Sequence, residues 1–105
     1  MINHTMLVSF NESIPDADLD QFLFDIESAL QATGVVETFS AQRHIPVPGE
    51  EAIPAFIATA VLEFGVADHD ALVTLFAAPD AGKVIHKWQA SHPYSVAWVN
   101  RHVDA

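Results

Sequence analysis

Residues 2–10 read Ile2-Asn3-His4-Thr5-Met6-Leu7-Val8-Ser9-Phe10, and successive side chains along this stretch alternate between two faces. The even-numbered face carries four apolar residues and His4, whereas the odd-numbered face is mostly polar. An alternation with period two predicts a strand whose apolar face is buried. The sequence therefore places one histidine within an apolar strand face.

The segment after this strand has helical periodicity. A turn is predicted at residues 11–15, and acidic residues then fill the first helical turn, where they suit the positive end of the helix dipole. Gly34 predicts the end of this helix. The apolar positions with helical spacing are Leu19, Phe22, Leu23, Ile26 and Leu30.

The rest of the chain alternates between strand and helix patterns. We expect strands over residues 35–44, 55–64 and 96–103, and a Pro/Gly loop over residues 46–51. Asp68 is a candidate cap for a second helical region, which Ala78-Pro79-Asp80 interrupts and Pro93 ends. The order βαββαβ predicts an α+β, ferredoxin-like fold with an antiparallel four-stranded sheet and two helices on one face. With 105 residues, we expect a single domain, 1–105.

The third predicted strand is apolar on both faces, although two helices cover only one face of a sheet. The second face would carry Leu7, Ile57, Val61 and Trp98, which need another cover. An identical sheet from a second subunit would provide it. We therefore expect a homodimer in which two sheets pack face to face as a dimeric α/β barrel.

The charge balance excludes some partners. Four Lys and Arg residues stand against fourteen Asp and Glu residues, which gives a formal net charge of −10. A nucleic-acid partner would require a basic surface, and an anionic membrane would repel this chain, so we expect neither. The chain has no cysteine and shows no signal-peptide pattern or membrane span. We expect a cytoplasmic location.

Three residues are candidates for acid/base chemistry. His4 on an apolar face would be desolvated and neutral, as a general base requires, although a core histidine bonded to a neighbouring group fits the same pattern. His92 follows Trp88 by one helical turn and would approach the same site, or it interacts with the helix C-terminus. Tyr94 would donate a hydrogen bond to a substrate oxygen, or it packs over the helix end.

We expect a pocket between the sheet and the helices that binds a small apolar or aromatic molecule. Small residues in the third strand would leave space for it. The predicted substrate-binding residues are Met6, Val8, Phe22, Ile26, Ala58, Ala60, Phe76, Ile85 and Trp88.

No cofactor or metal is expected. The six histidines form neither an i, i+4 pair on a helix nor a His-x-His pair on a strand, and the sequence contains no phosphate-binding or dinucleotide-binding glycine motif.

Three short motifs resemble the stress-responsive A/B barrel (Dabb) family of the dimeric α/β-barrel superfamily, and the resemblance covers nearly the whole chain. They are the opening strand, residues 1–10, with its early histidine, the strand end Val61-Leu62-Glu63-Phe64, and the Ala78-Pro79 break in the second helix. Cofactor-free antibiotic-biosynthesis monooxygenases and EthD-like proteins share this architecture. Some relatives bind haem through a histidine, and no spacing in this chain requires it.

The resemblance implies a cyclase-like site. Polyketide cyclases of this family use a histidine low on strand one and a His-Pro-x-His segment in the second helix. His4 matches the first position, but the second motif reads Ala78-Pro79-Asp80-Ala81, without either histidine. A further histidine that some cyclases carry early on strand three corresponds to about Ala58.

Three hypotheses follow. The first is a small cofactor-independent enzyme with cyclase, lyase or isomerase chemistry. The second is a non-catalytic stress-responsive dimer or small-ligand-binding protein, and the third is a cofactor-free monooxygenase.

Overall fold

The computed structural model describes residues 1–103, and within them four strands form one antiparallel sheet in the order β2-β3-β1-β4. The strands are β1 at Ile2–Phe10, β2 at Val36–Arg43, β3 at Ala60–Val66 and β4 at Tyr94–His102. The helices are α1 at Asp16–Gln31, α2 at His69–Phe76 and α3 at Ala81–Ser91, and a 3-10 turn covers Glu50–Ala52. The architecture is the expected ferredoxin-like α+β fold, with its second helical region divided into α2 and α3. Asp104 and Ala105, which the predicted domain includes, lie outside the described residues.

The core lies between one face of the sheet and the helices. The central strands contribute Val8, Leu62 and Phe64, none of which has exposed surface. Across from them α1 buries one side, which includes Phe22 and Ile26. Burial of each large apolar side chain contributes about 1.5–3 kcal/mol. The apolar side chains that the strand and helix periodicities predict therefore pack together in one layer.

The helix ends follow the sequence signals. The side chain of Asp68 accepts a hydrogen bond from the backbone nitrogen of Ala71 at 2.9 Å and caps α2. Gly34, three residues after α1, has a φ of 77°, a conformation that favours glycine. Among residues 1–103, no helix combines the length and apolar character needed to cross a membrane.

The third strand begins later than the sequence predicts. It starts at Ala60, because the pairing of β1 with β3 ends at Val8–Ala60 and that of β2 with β3 ends at Arg43–Ala60. Ala58 therefore precedes the strand, and the prediction that places it on this strand is wrong. The preceding residues 53–57 are exposed and irregular, and Pro54 among them supplies no ladder donor.

The predicted orientation of Trp98 is also wrong. The β1–β4 register pairs Met6 with Trp98 and Phe10 with Tyr94, and paired residues share a face. Because Tyr94 is buried in the core, Trp98 faces the helices rather than the outer face of the sheet.

The outer face has an apolar part and a polar part. Leu7 and Val99, 46% and 55% exposed, lie on it with Val61 and Ala97. Towards the other end of the strands, Glu63 Oε1 accepts hydrogen bonds from three neighbouring side chains, those of Asn3, Thr5 and Arg101.

Gly65 is required by a bulge in β2. The β2–β3 register shifts between Val36 and Thr38, so Thr38 lies opposite Gly65 and Glu37 is exposed instead of facing the core. A Cβ atom at position 65 would overlap Thr38 Oγ1.

Gly65→Ala is expected to lower the free energy of unfolding by about 1–3 kcal/mol, because the added methyl group has no space. Denaturant unfolding measures this change. Gly82→Ala in α3 is the matched control, since its new Cβ contacts nothing and alanine favours a helix. Equal effects of the two substitutions would contradict the assigned register.

Candidate functional site

His4 is the one polar or charged side chain among the buried residues of the described chain, with 6% of its surface exposed. It lies on the central strand β1, between Phe64 of β3 and Asn100 of β4. Hydrogen bonding on both sides holds this strand, so the histidine is attached to a rigid part of the fold.

Aromatic rings surround the imidazole of His4. The ring of Phe76 meets it edge to face with 5.0 Å between centroids, and the rings of Trp98 and Phe64 lie at 5.6 Å and 6.4 Å. Phe76 and Trp98 also contact each other at 5.3 Å. These rings remove water from His4 without offering it a charge.

Asn100 sets the protonation pattern of the imidazole. Its Oδ1 atom lies 2.7 Å from His4 Nδ1, and an amide oxygen only accepts hydrogen bonds. Nδ1 of neutral His4 therefore carries the hydrogen, and Nε2 keeps its lone pair. Every fully enclosed side-chain nitrogen or oxygen in the described residues has a partner. His4 Nε2 has no hydrogen-bond partner among these residues, so this atom is not fully enclosed and reaches open space.

Burial lowers the pKa of His4 below its usual value, and the hydrogen bond to Asn100 only partly opposes this effect. The neutral imidazole is consequently the dominant form at neutral pH. A neutral imidazole with a free Nε2 lone pair is a proton acceptor.

His4 lies in the wall of a cavity of about 170 Å³ between the sheet and the helices. Two strands and α1 contribute His4, Met6, Val96, Trp98, Ile26, Ala29 and Leu30. The junction of α2 and α3 contributes Leu75, Phe76, Ala81 and Ile85. Among residues 1–103, no Asp, Glu, Lys or Arg side chain lines this cavity.

Five of the predicted site residues line this cavity together, namely His4, Met6, Ile26, Phe76 and Ile85. The sequence reasoning missed Val96, Trp98 and Asn100. The signal that would have found them is the parity of β4, since a buried Tyr94 places residues 96, 98 and 100 on the inner face.

Four predicted residues instead fill the core beyond the cavity. Val8, Phe22 and Ala60 are buried, and none of them lines the His4 cavity. Phe22 meets Trp88 edge to face at 5.5 Å, and the indole Nε1 of Trp88 donates a hydrogen bond to Asp25 at 2.9 Å.

Tyr94 and His92 lie near that second aromatic cluster. Tyr94 is opposite Phe10, six residues along β1 from His4, which is roughly 20 Å. Burial raises the pKa of Tyr94. His92 contacts the Trp88 ring at 5.4 Å, and its Nε2 lies 3.5 Å from Asp18. Neither residue lines the cavity that contains His4.

A larger groove of about 530 Å³ lies at the Phe10 end of β1, and Ala58 lines it rather than the His4 cavity. The basic side chains of this groove have acidic partners: Arg43 pairs with Asp16 and Asp20, and His44 Nε2 lies 2.6 Å from Glu50 Oε2. We assign the site to the smaller cavity, because it contains a desolvated titratable group that has a neutral hydrogen-bond partner and no ion-pair partner among residues 1–103. Within residues 1–103, no group of three or more His, Asp or Glu side chains is arranged to bind a metal ion.

Comparison with known proteins shows the fold class. No protein-family model matches the sequence, and no curated protein is significantly similar to it. A Dabb family protein with a ferredoxin-like fold from Mesorhizobium loti superimposes with a TM-score of 0.73 at 18% identity, over 99% of this chain and 97% of that one. The chain thus has the fold of Dabb proteins, as the short motifs predict.

Two further similar structures are described as enzymes. A hydroxynitrile lyase from Passiflora edulis gives a TM-score of 0.74 at 11% identity, covering 98% of this chain and 93% of that one. SnoaB, a cofactor-independent oxygenase from Streptomyces nogalater, gives 0.73 at 10% identity, covering 99% and 93%. Other structures with this fold are described as dimeric. At these identities the likeness concerns the fold.

The lowered pKa of His4 predicts a pH-dependent stability. Just below pH ~6.5 the unfolded chain binds a proton at this residue while the folded chain does not, so the free energy of unfolding falls as the pH falls. This dependence of the free energy of unfolding on pH ends below the pKa of His4 in the folded chain, because the folded and the unfolded chain are then both protonated at this residue. In His4→Gln this contribution is expected to vanish, as measured by denaturant unfolding at several pH values. An unchanged slope would contradict the burial of a neutral His4.

Proposed function

We propose that the protein is a small cofactor-independent enzyme in which His4 is the acid/base group for an apolar or aromatic substrate, with lyase, isomerase or cyclase chemistry. The observation that carries this proposal is an imidazole with a free Nε2 in the wall of an otherwise apolar cavity. A structural histidine would normally use both nitrogens or face solvent.

The proposed step is a proton transfer. Nε2 of His4 takes a proton from a hydroxyl group or an acidic C–H group of the substrate, and the same nitrogen returns it to the product. While His4 is protonated, Nδ1–H remains bonded to Asn100, so the imidazolium keeps a partner. The low polarity of the lining strengthens this interaction.

The similar structures support this class of chemistry. One is named a hydroxynitrile lyase and another a cofactor-independent oxygenase, so this fold holds catalytic sites in other proteins, one of them without a cofactor. Met6, Ile26, Phe76 and Ile85 would contact the substrate's apolar part. The proposal rests on His4 and gives His92 and Tyr94 no catalytic step.

The main alternative is a non-catalytic dimer that binds a small apolar ligand. One feature favours it: His4 is the single titratable side chain of the cavity lining, whereas acid/base enzymes often use two. A second alternative is a cofactor-free monooxygenase, which the likeness to SnoaB favours. This monooxygenase alternative predicts that the protein consumes oxygen when an anthrone-like or quinol substrate is added.

We expect His4→Gln to abolish turnover, because the proton acceptor is lost, while the apolar lining that contacts the hydrocarbon part of a ligand remains. A screen of ketone, aldehyde and polyketide-like substrates, followed by kinetics on any active compound, measures this effect. The kcat/KM of the wild type should fall on the acid side with an apparent pKa below about 6.5. His86→Gln on the exposed side of α3 is the control. Full activity of His4→Gln would exclude His4 as the base.

We also propose a homodimer, formed by the outer faces of two sheets, of a single-domain cytoplasmic protein. The apolar part of the outer face around Leu7 and Val99 supports the dimer, as does the description of similar structures as dimeric.

Leu7→Lys is expected to shift the protein to monomer, because two buried lysines would face each other near the two-fold axis. Light scattering at micromolar concentration measures the mass. Phe24→Lys, at an exposed apolar position of α1, should leave the dimer intact. A wild-type monomer would refute the proposed interface.

A further inference from the structure

Among the described side chains that line the His4 cavity, only the imidazole of His4 offers a ligand a nitrogen that accepts a hydrogen bond. Asn100 Oδ1 occupies the hydrogen on Nδ1, which leaves Nε2 as an acceptor. The other lining side chains are hydrocarbon, apart from the thioether of Met6 and the indole of Trp98, which is 54% exposed at the mouth. A ligand with an O–H or N–H group would donate a hydrogen bond to Nε2. A carbonyl oxygen only accepts hydrogen bonds, so it would be repelled by the lone pair of Nε2.

The size of the cavity suits one ring. Its volume of about 170 Å³ is close to that of an apolar cavity, about 150 Å³, that encloses benzene. A six-membered ring would therefore contact the side chains of α1 and the α2–α3 junction on one side and those of β1 and β4 on the other.

The charges disfavour an anionic ligand. The lining contains no cation to pair with a carboxylate, and burial of an unpaired carboxylate is costly. The formal net charge of −10 also repels an anion before it reaches the cavity.

We propose that the His4 cavity binds small, neutral, single-ring alcohols and phenols, whose O–H group donates a hydrogen bond to Nε2 of His4, and that Asn100 is the positioning residue that makes Nε2 an acceptor. This inference rests on the proposed function, since it uses the same site, and it names the ligand class.

The first experiment compares three ligands with one skeleton by calorimetry or by protein-observed NMR. Benzyl alcohol carries a donor, benzaldehyde carries only an acceptor, and benzoate carries a charge. The alcohol should bind about three- to tenfold more tightly than the aldehyde, as one additional hydrogen bond predicts, and benzoate should bind most weakly. Equal or tighter binding of benzaldehyde or benzoate, or no binding of benzyl alcohol at millimolar concentration, would overturn the proposal.

The second experiment tests Asn100. Nitrogen NMR of wild-type His4 should show the hydrogen on Nδ1 and a free lone pair on Nε2. Asn100→Asp keeps an acceptor at Nδ1, so the preference for the alcohol should survive at mildly alkaline pH. Asn100→Leu removes this acceptor and should reduce the ratio of the affinities for benzyl alcohol and benzaldehyde towards one. His86→Gln should leave the ratio unchanged. A hydrogen on Nε2 in the wild type would refute the role of Asn100, and it would do so even if the leucine variant does not fold.

These readouts are separate from the test of catalysis. An alcohol preference with no turnover of any substrate would support the ligand class and refute the enzyme. Turnover that depends on His4, combined with a preference for aldehydes, would support the enzyme and refute the ligand class.

Discussion

The site depends on the hydrogen-bonded register between β1 and β4. This register places Asn100 opposite His4 and Trp98 opposite Met6, and it places Tyr94 opposite Phe10. A shift of one residue would turn every side chain of β4 to the other face of the sheet. His4 would then be buried without a partner for Nδ1, which costs about 1–3 kcal/mol. One pairing thus determines the partner of His4, part of the cavity wall and the burial of Tyr94.

The inner layer of the protein is divided into two aromatic groups along β1. At the Phe10 end, the ring of Phe22 contacts the rings of Phe10, Trp88 and Tyr94, and Phe10 also contacts Tyr94. At the His4 end, Phe76 and Trp98 contact His4 from the sides and leave a cavity beside it. Small residues in the lining, Ala29 and Ala81, account for the open space, because an alanine reaches only one carbon beyond the backbone. The ring contacts at the Phe10 end stabilise the fold, and the His4 end has space for a ligand between the sheet and the helices.

The sequence was sufficient for the fold and for one side of the site. The alternation at residues 2–10 and the helical spacing after Asp16 predict β1 and α1, and they put His4 and Ile26 in the same layer. The sequence could not settle the orientation of β4, because its apolar and polar residues do not alternate cleanly and only the pairing with β1 decides its parity. For the same reason Trp98 was assigned to the outer face. Ala58 was misplaced because the apolar run before Ala60 has strand composition, whereas its backbone pairing with the neighbouring strands ends at Thr59.

The break between α2 and α3 is the place where this site differs from the two-histidine pattern that the resemblance to Dabb cyclases implies. That pattern, carried onto this chain, places its second motif at Ala78-Pro79-Asp80-Ala81, and Ala81 lines the His4 cavity. The position of the second histidine therefore faces the same cavity, but here it carries a methyl group that can neither donate nor accept a proton. Under the proposed function, His4 must therefore both remove the proton and return it. Such a site suits a reaction in which one proton leaves and comes back, as in a lyase or isomerase, better than a closure that needs an acid and a base at the same moment.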